Sequence, residues 1–261
     1  MAELRRAWEA VADGQFQIPS SIDASASPQQ RKALWTPKDG ERVVTVAGCV
    51  GSCGASTVAL ALASTADGPA RVVECCPSTA SGLAAATTAE LGVKPSGWAE
   101  GTRGDVIIQR TSSGVIRPED VPSPPSGDQL ALTVLDAGWR TEQLLDTICW
   151  LTDQIRGDAP AVAVAVATVP GLRQLEVVLS ALGPVAVAAV VGPAYRRWPT
   201  ALKGSRGAGL RRLEAAGRLV VVPHDRRLAL HGLDSTPLPA PLLEAARQIH
   251  SLLAAGEGNQ R

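Results

Sequence analysis

No apolar run in this 261-residue chain is long enough to cross a bilayer. The most apolar stretches, Ala159 to Pro170 and Ala181 to Val191, are short and bounded by Pro or Gly, and the first thirty residues hold no uninterrupted apolar segment. Neither a signal peptide nor a transmembrane helix is expected. Excess charge is also lacking: formal net charge is zero, so a nucleic-acid or membrane partner would have to use a local patch. Nor is there a disulfide framework. The five cysteines (Cys49, Cys53, the pair Cys75 and Cys76, and Cys149) are odd in number and irregular in spacing. They point to a reducing cytoplasm, with peripheral attachment to membrane or nucleoid as a variant of that location. No internal repeat is visible, and the basic residues are overwhelmingly arginine, the bias of a GC-rich, actinobacterial-like genome.

What is present is ample apolar content, 45% of residues, enough for one large α/β domain or two small ones. Residues 1 to 40 read as an N-terminal extension. Leu4, Ala7, Trp8 and Val11 form a short amphipathic helix whose Arg5 and Arg6 suit a partner tether, and a flexible linker rich in Ser, Pro, Gln and Asp follows. The domain proper spans 41 to 255, and 256 to 261 form a disordered tail. Within the domain, short apolar runs alternate with helical patterns: Arg42 to Ala47, Arg71 to Glu74, Val106 to Gln109, Leu130 to Leu135, Ala161 to Ala167, Val185 to Val191 and Leu219 to Val222. Fully apolar strands separated by helices predict a doubly wound, mainly parallel sheet covered on both faces. Ser112 to Gly127 reads as a loop. The last helix, Pro241 to Ala255, carries Leu242, Leu243, Ala246, Ile249, Leu252 and Leu253 on one stripe and is expected to dock on the sheet.

The segment "VVTVAGCVGSCGASTVALALA", residues 43 to 63, is built like a phosphate-binding loop between a strand and a helix. Such a loop needs glycines that turn successive N–H groups toward an anion, a following helix N-terminus, a lysine for the outer phosphates and a Ser or Thr for Mg²⁺. Gly48, Gly51 and Gly54 supply the glycines, and Ser56 and Thr57 open the helix. The lysine is missing.

This segment resembles the deviant Walker A motif of the ParA/MinD superfamily of P-loop proteins, and most closely its CpaE-like branch. Val50 stands where that family has its signature lysine, Ser52 replaces a glycine, and Ala55 occupies the Walker lysine position. Further along, "RVVECCPSTASGLA" is similar to the family's second-strand Asp-x-Asp-Pro motif, with Glu74 and Cys76 in place of the aspartates. "LALTVLDAG" resembles Walker B and ends on Asp136; "VAVAAVVGP" reaches Gly192 and Pro193 where the family often has an asparagine near the adenine; and "VVVPHDRRLALHGLDSTPL" is similar to its late proline-containing strand end.

The resemblance implies a P-loop NTPase fold of ParA/MinD type, with Gly48, Gly51, Gly54, Ala55, Ser56, Thr57, Glu74 and Asp136 as the cofactor-binding set. Ser56 and Asp136 would hold Mg²⁺ if ATP is bound. Without the lysines, phosphoryl transfer loses its main charge stabilisation, so no catalytic residue is assigned and no resident cofactor is expected. Arg103, Arg140 and Arg173 are candidate replacement cations that spacing does not separate. The expected function is a non-hydrolysing or weakly hydrolysing adaptor in the positioning or assembly of a larger machine of partition, pilus, secretion or conjugation type. The alternatives are an active ATPase that switches by nucleotide-dependent dimerisation and a self-assembling structural protein.

Two further groups stand out. Cys49, Cys53 and Cys76 would converge on the phosphate site if the fold is right, as a soft-metal or redox site or simply as small apolar fillers. Arg196, Arg197, Lys203, Arg206, Arg211 and Arg212 form a basic segment with Trp198 interleaved, facing DNA, an anionic membrane or only solvent. Protein partners of a larger assembly and a second copy in a homodimer complete the expected partners. His224, His231 and His250 lack metal spacing, and Trp98, Trp139, Trp150 and Trp198 are packing or contact positions.

Overall fold

The computed structural model describes residues 35–125, 129–157, 159–183 and 185–257. Nine strands form one sheet: β1 (Arg42–Gly48), β2 (Ala70–Glu74), β3 (Ala89–Val93), β4 (Trp98–Arg103), β5 (Val106–Thr111), β6 (Leu132–Ala137), β7 (Ala161–Val166), β8 (Val187–Gly192) and β9 (Leu219–Pro223). Their spatial order is β3-β4-β5-β2-β6-β1-β7-β8-β9. Pairing is parallel from β5 to β9, and only the β3–β4–β5 edge is antiparallel. The helices are α1 (Ala55–Ser64), α2 (Leu83–Ala86), α3 (Thr141–Leu145), α4 (Trp150–Arg156), α5 (Val169–Leu182), α6 (Thr200–Gly204), α7 (Ala208–Ala215), α8 (Arg226–His231) and α9 (Ala240–Glu257).

All seven strands expected from apolar runs are present. The β3–β4 hairpin is an addition, because its strands carry Glu90, Glu100, Thr102 and Arg103 and show no apolar run.

Alternation along each central strand divides the core between two faces. Val44, Val46, Val162, Val164 and Ala189 point to one side, where α1 and α9 cover them through Leu60, Leu62, Leu242, Ile249 and Leu253. On the other side, Val43, Val73 and Leu135 meet α3 and α4, while Ala163, Ala165, Ala188 and Val190 meet α5, α6 and α7. The stripe read on the last helix thus packs against the sheet. Helix α1 is buried on most of its surface, as expected of an Ala- and Leu-rich helix with no polar face. His250 of α9 contacts the Leu62 carbonyl near the end of α1 through Nε2 at 2.9 Å.

The folded unit reaches back past residue 41. Trp35 is buried, lies 5.6 Å edge-on to Trp150, and stacks 5.7 Å from the Arg71 guanidinium. Arg71 in turn donates to Glu41 (3.0 Å), Thr133 (2.7 Å) and the Pro125 carbonyl (2.8 Å). At the other end α9 continues through Gly256 and Glu257. The amphipathic stretch at Leu4 to Val11 and residues 258 to 261 lie outside the described residues.

The indole N–H groups of Trp98, Trp139, Trp150 and Trp198 each donate to a loop carbonyl, those of Ser123, Cys75, Val121 and Pro193 respectively. Tryptophan therefore pins loops to the sheet in this fold. Among the described residues no helix is long and apolar enough to cross a membrane.

Candidate functional site

The loop between β1 and α1 opens at the carboxyl edge of the sheet, beside the central strands. Its first turn is tied to β7 by the Cys49 N–H, 2.9 Å from the Val164 carbonyl. Its last turn depends on Gly54, whose φ of +92° caps α1 without a Cβ penalty. Ser52 has φ +58°, the one described non-glycine residue in the left-handed region. It stands where the resembled motif has glycine.

Over this loop lies a cleft of about 790 Å³. Gly48, Gly51, Gly54, Ala55, Ser56 and Thr57 all line it, together with Thr79 to Gly82 after β2 and Gly138 to Arg140 after β6. Its far wall is mainly apolar: Val166, Val191, Val222, Pro223, Leu228 and Leu233, with His224 and Asp225 beside them. The segments 79–82 and 223–233 were not assigned from their residue types, which are those of ordinary turns and a short helix.

Glu74 and Asp136 lie just beneath the cleft. They are paired across parallel strands β2 and β6 and are almost wholly buried. The Ser81 hydroxyl donates to Glu74 Oε1, leaving Oε2 without a partner. Both Asp136 oxygens lack one as well. Burial pushes the Asp136 carboxyl up to about 7, with the Ser56 hydroxyl working against the rise and the Glu74 charge adding to it. Ser56 makes no hydrogen bond of ordinary geometry to Asp136, so its influence is one of proximity. Burial also raises Glu74, while Ser81 and Arg110 pull it back.

An oxygen-rich pair with unpartnered atoms beside a serine hydroxyl fits a hard divalent cation such as Mg²⁺. The phosphate end fits a polyphosphate less well. Arg140 is the one Lys or Arg side chain lining the cleft among the described residues; it is 84% exposed and only 3.9 Å from Glu142. Ala55 and Val50 add no charge. Of the other two candidate cations, Arg103 is spent on the carbonyls of Ala86, Asp234 and Thr236, and Arg173, on α5, does not line the cleft.

The fold also leaves no place for a side chain at the end of β8. A Cβ on Gly192 would lie 2.3 Å from the Ala167 methyl. The asparagine of the resembled family could not stand there without displacing Ala167.

Of the three thiols expected at the loop, Cys49 and Cys53 both line the cleft, as does Gly138, beside which Cys76 packs. Cys53 faces the α1 side of the sheet, Cys49 packs with the cluster on the opposite face, and Cys76 lies against Gly138. Burial pushes all three thiols up, away from the thiolate form that binds metal or exchanges disulfides. The described residues contain no group of three or more His, Cys, Asp or Glu side chains that could hold a metal ion.

The basic segment divides in two. Arg206 pairs with Glu214 and with the Tyr195 hydroxyl, and Lys203 sits over the Tyr195 ring at 5.6 Å. Arg196, Arg197, Arg211 and Arg212 are exposed, the first two on a 3-10 turn and the last two on α7. Trp198, interleaved in sequence, is a core residue.

Compared with solved structures, the chain resembles a Borrelia burgdorferi B31 protein assigned to plasmid partition and bound to AMPPNP (TM-score 0.53, 11% identity, 83% of this chain and 99% of that one). It is similar to an ATP complex of a Cyanothece McdA variant (0.52, 13%, 82% and 97%) and to a ParA family ATPase from Chlorobium tepidum TLS (0.50, 11%, 81% and 98%). No family model and no curated protein sequence matches the chain. At these identities the likeness is one of fold: a nine-stranded, mostly parallel P-loop architecture of ParA type.

Proposed function

We propose that this protein is a ParA-fold adaptor that holds nucleotide without efficient turnover and helps to place or assemble a larger machine. The observation that carries the proposal is the charge at the loop: Val50 and Ala55 stand at the two lysine positions, and Arg140 alone lines the cleft with a positive charge among the described residues. Phosphoryl transfer depends on positioning and on cations around the transferred group, and losing one well-placed donor costs roughly a hundred- to a thousandfold in rate. Binding asks for less. The cleft offers loop N–H groups, an apolar wall for a base, and Ser56 with Asp136 for a divalent ion, which would neutralise the charge of bound phosphates.

The solved structures similar in fold include proteins of partition, and the machine served here would be of that kind or of pilus, secretion or conjugation type. Partner proteins, a second copy, or DNA or an anionic surface at Arg196, Arg197, Arg211 and Arg212 fit the proposal, as does a cytoplasmic site at nucleoid or membrane. The second reading, an active ATPase, rests on Arg140, whose exposed guanidinium is free to swing toward bound phosphates.

Calorimetry with ATP and ADP in Mg²⁺, beside phosphate-release assays, separates these readings. Weak binding without release, tightened in the Val50→Lys, Ala55→Lys variant, is the expected result. Release by the natural sequence that disappears in Arg140→Ala establishes the second reading. Absence of binding in both proteins leaves a scaffold whose function is on its surface.

A further inference from the structure

Strand register brings the Glu74 and Asp136 carboxyl groups together on the α1 face of the sheet. Val72 and Val134, two residues earlier on β2 and β6, belong to the core under α1 and α9, so alternation turns both carboxyl groups to that same side. The loop and the first turn of α1 lie there. Each carboxyl group has a serine of the cleft beside it: Ser81 donates to Glu74 Oε1, and the Ser56 hydroxyl lies close to Asp136. Glu74 is 1% and Asp136 0% exposed, and Glu74 Oε2 and both Asp136 oxygens have no hydrogen-bond partner.

Buried carboxylates need a counter-charge. Arg110 follows Gln109, the register partner of Val73, and so stands next to Glu74 on β5, but its guanidinium is paired with Glu90 of β3. Val50 and Ala55 leave the loop without an ammonium group, and the Arg140 side chain is turned to solvent. Two negative charges thus have one shared cation beside them. No fixed charge over them repels an incoming cation, as a lysine at either loop position would. Two carboxylates fall short of an all-protein cage, but a small hard cation needs none: it keeps several waters and is held by one or two carboxylates.

We infer that Glu74 and Asp136 bind a divalent cation such as Mg²⁺ before any nucleotide, and that this ion supplies the phosphate-binding charge that the loop lacks. Ion binding does not depend on the nucleotide role proposed above, whereas the use made of the ion does. Ser81 is a positioning residue: by occupying Oε1 of Glu74 it leaves Oε2 for the ion. Ion and nucleotide are then linked, each raising the affinity of the other by the same factor.

Titration of the full chain with Mn²⁺ in the absence of nucleotide, read by the electron-spin signal of the free ion, tests the site. One ion per chain is expected, displaced by Mg²⁺ and accompanied by a rise in the thermal midpoint. Glu74→Gln and Asp136→Asn are each expected to weaken it about tenfold or more, and Ser81→Ala by less. Val50→Lys, Ala55→Lys leaves both carboxylates in place and is expected to weaken Mn²⁺ about tenfold while tightening ATP, opposite signs that a damaged fold could not give. Thermal unfolding of each variant checks that the fold is kept. A natural sequence that takes up no Mn²⁺ without nucleotide, uptake indifferent to Glu74→Gln, or uptake undiminished by the two lysines overturns the inference. Mn²⁺ uptake without ATP binding keeps the ion site and removes the nucleotide role, whereas ATP binding in the presence of a chelator keeps that role and overturns the inference.

Discussion

Glu74 and Asp136 end neighbouring parallel strands in register, two buried carboxyl groups side by side with three oxygens that have no hydrogen-bond partner. The arrangement stores unfavourable charge under the loop. With a folded pKa of about 7 against an ordinary 3.8, Asp136 binds a proton more tightly when folded. Its contribution to stability is therefore full below about pH 4, is lost as pH rises toward 7, and changes little above that. The whole span corresponds to about 4 kcal/mol as an upper limit. Asp136→Asn should flatten this dependence and raise stability at pH 8 by about 2 kcal/mol, part of the gain being offset by an unpaired amide. Urea unfolding at pH 5 and pH 8 measures both; an unchanged pH profile in the variant excludes Asp136 as the source.

Ser52 gives a local test of the loop. A left-handed conformation costs a side-chain-bearing residue about 1–2 kcal/mol, of which glycine returns part through greater freedom in the unfolded chain. Ser52→Gly is expected to stabilise the fold by about 0.5–1 kcal/mol. A rise in the thermal midpoint checks it, whereas a fall would mean that the hydroxyl makes a bond worth more than the strain.

Arg71 joins the segment before β1 to the sheet by binding buried Glu41 and Thr133 and stacking on Trp35. Removing one partner of a buried ion pair leaves the other charge stranded. Arg71→Met is expected to cost about 3–5 kcal/mol, and Glu41→Leu combined with Arg71→Met distinctly less. Denaturant titrations of both variants give the comparison, and equal losses would show that the pair is not coupled.

Much of the fold was legible because the central strands are buried on both faces and so read as plain apolar runs. The hairpin was not, because burial there depends on polar partners: Gln109 donates to Glu100 at 3.0 Å inside the sheet, a match that appears only once β4 and β5 are paired. For the site, glycine spacing located the loop from Gly48 to Thr57. Spacing did not choose among Arg103, Arg140 and Arg173, since the choice rests on which edge and helix each occupies. Sequence placed Cys49 and Cys53 at the loop, where both line the cleft; what spacing could not show is that burial holds these thiols and Cys76 away from the thiolate form.

Glu176 of α5 holds the start of α7, accepting from the N–H groups of Gly209 at 3.0 Å and Leu210 at 2.7 Å. These are orphan donors that no residue of α7 itself satisfies. Glu176→Ala should cost about 1–2 kcal/mol and speed hydrogen exchange at both amides. Faster exchange there, with the rest of the sheet unaltered, would mark α7 as a separately stabilised carrier of Arg211 and Arg212.

The exposed arginines belong to the β8–β9 end of the sheet, and β3 closes the other end. Eight inter-strand steps separate the two edges, about 38 Å at ordinary strand spacing. That is several Debye lengths at physiological salt, so the charges of the hairpin carry almost no electrostatic weight at the arginines, and a charge reversal at Glu90 or Lys94 leaves whatever Arg211 and Arg212 bind undisturbed.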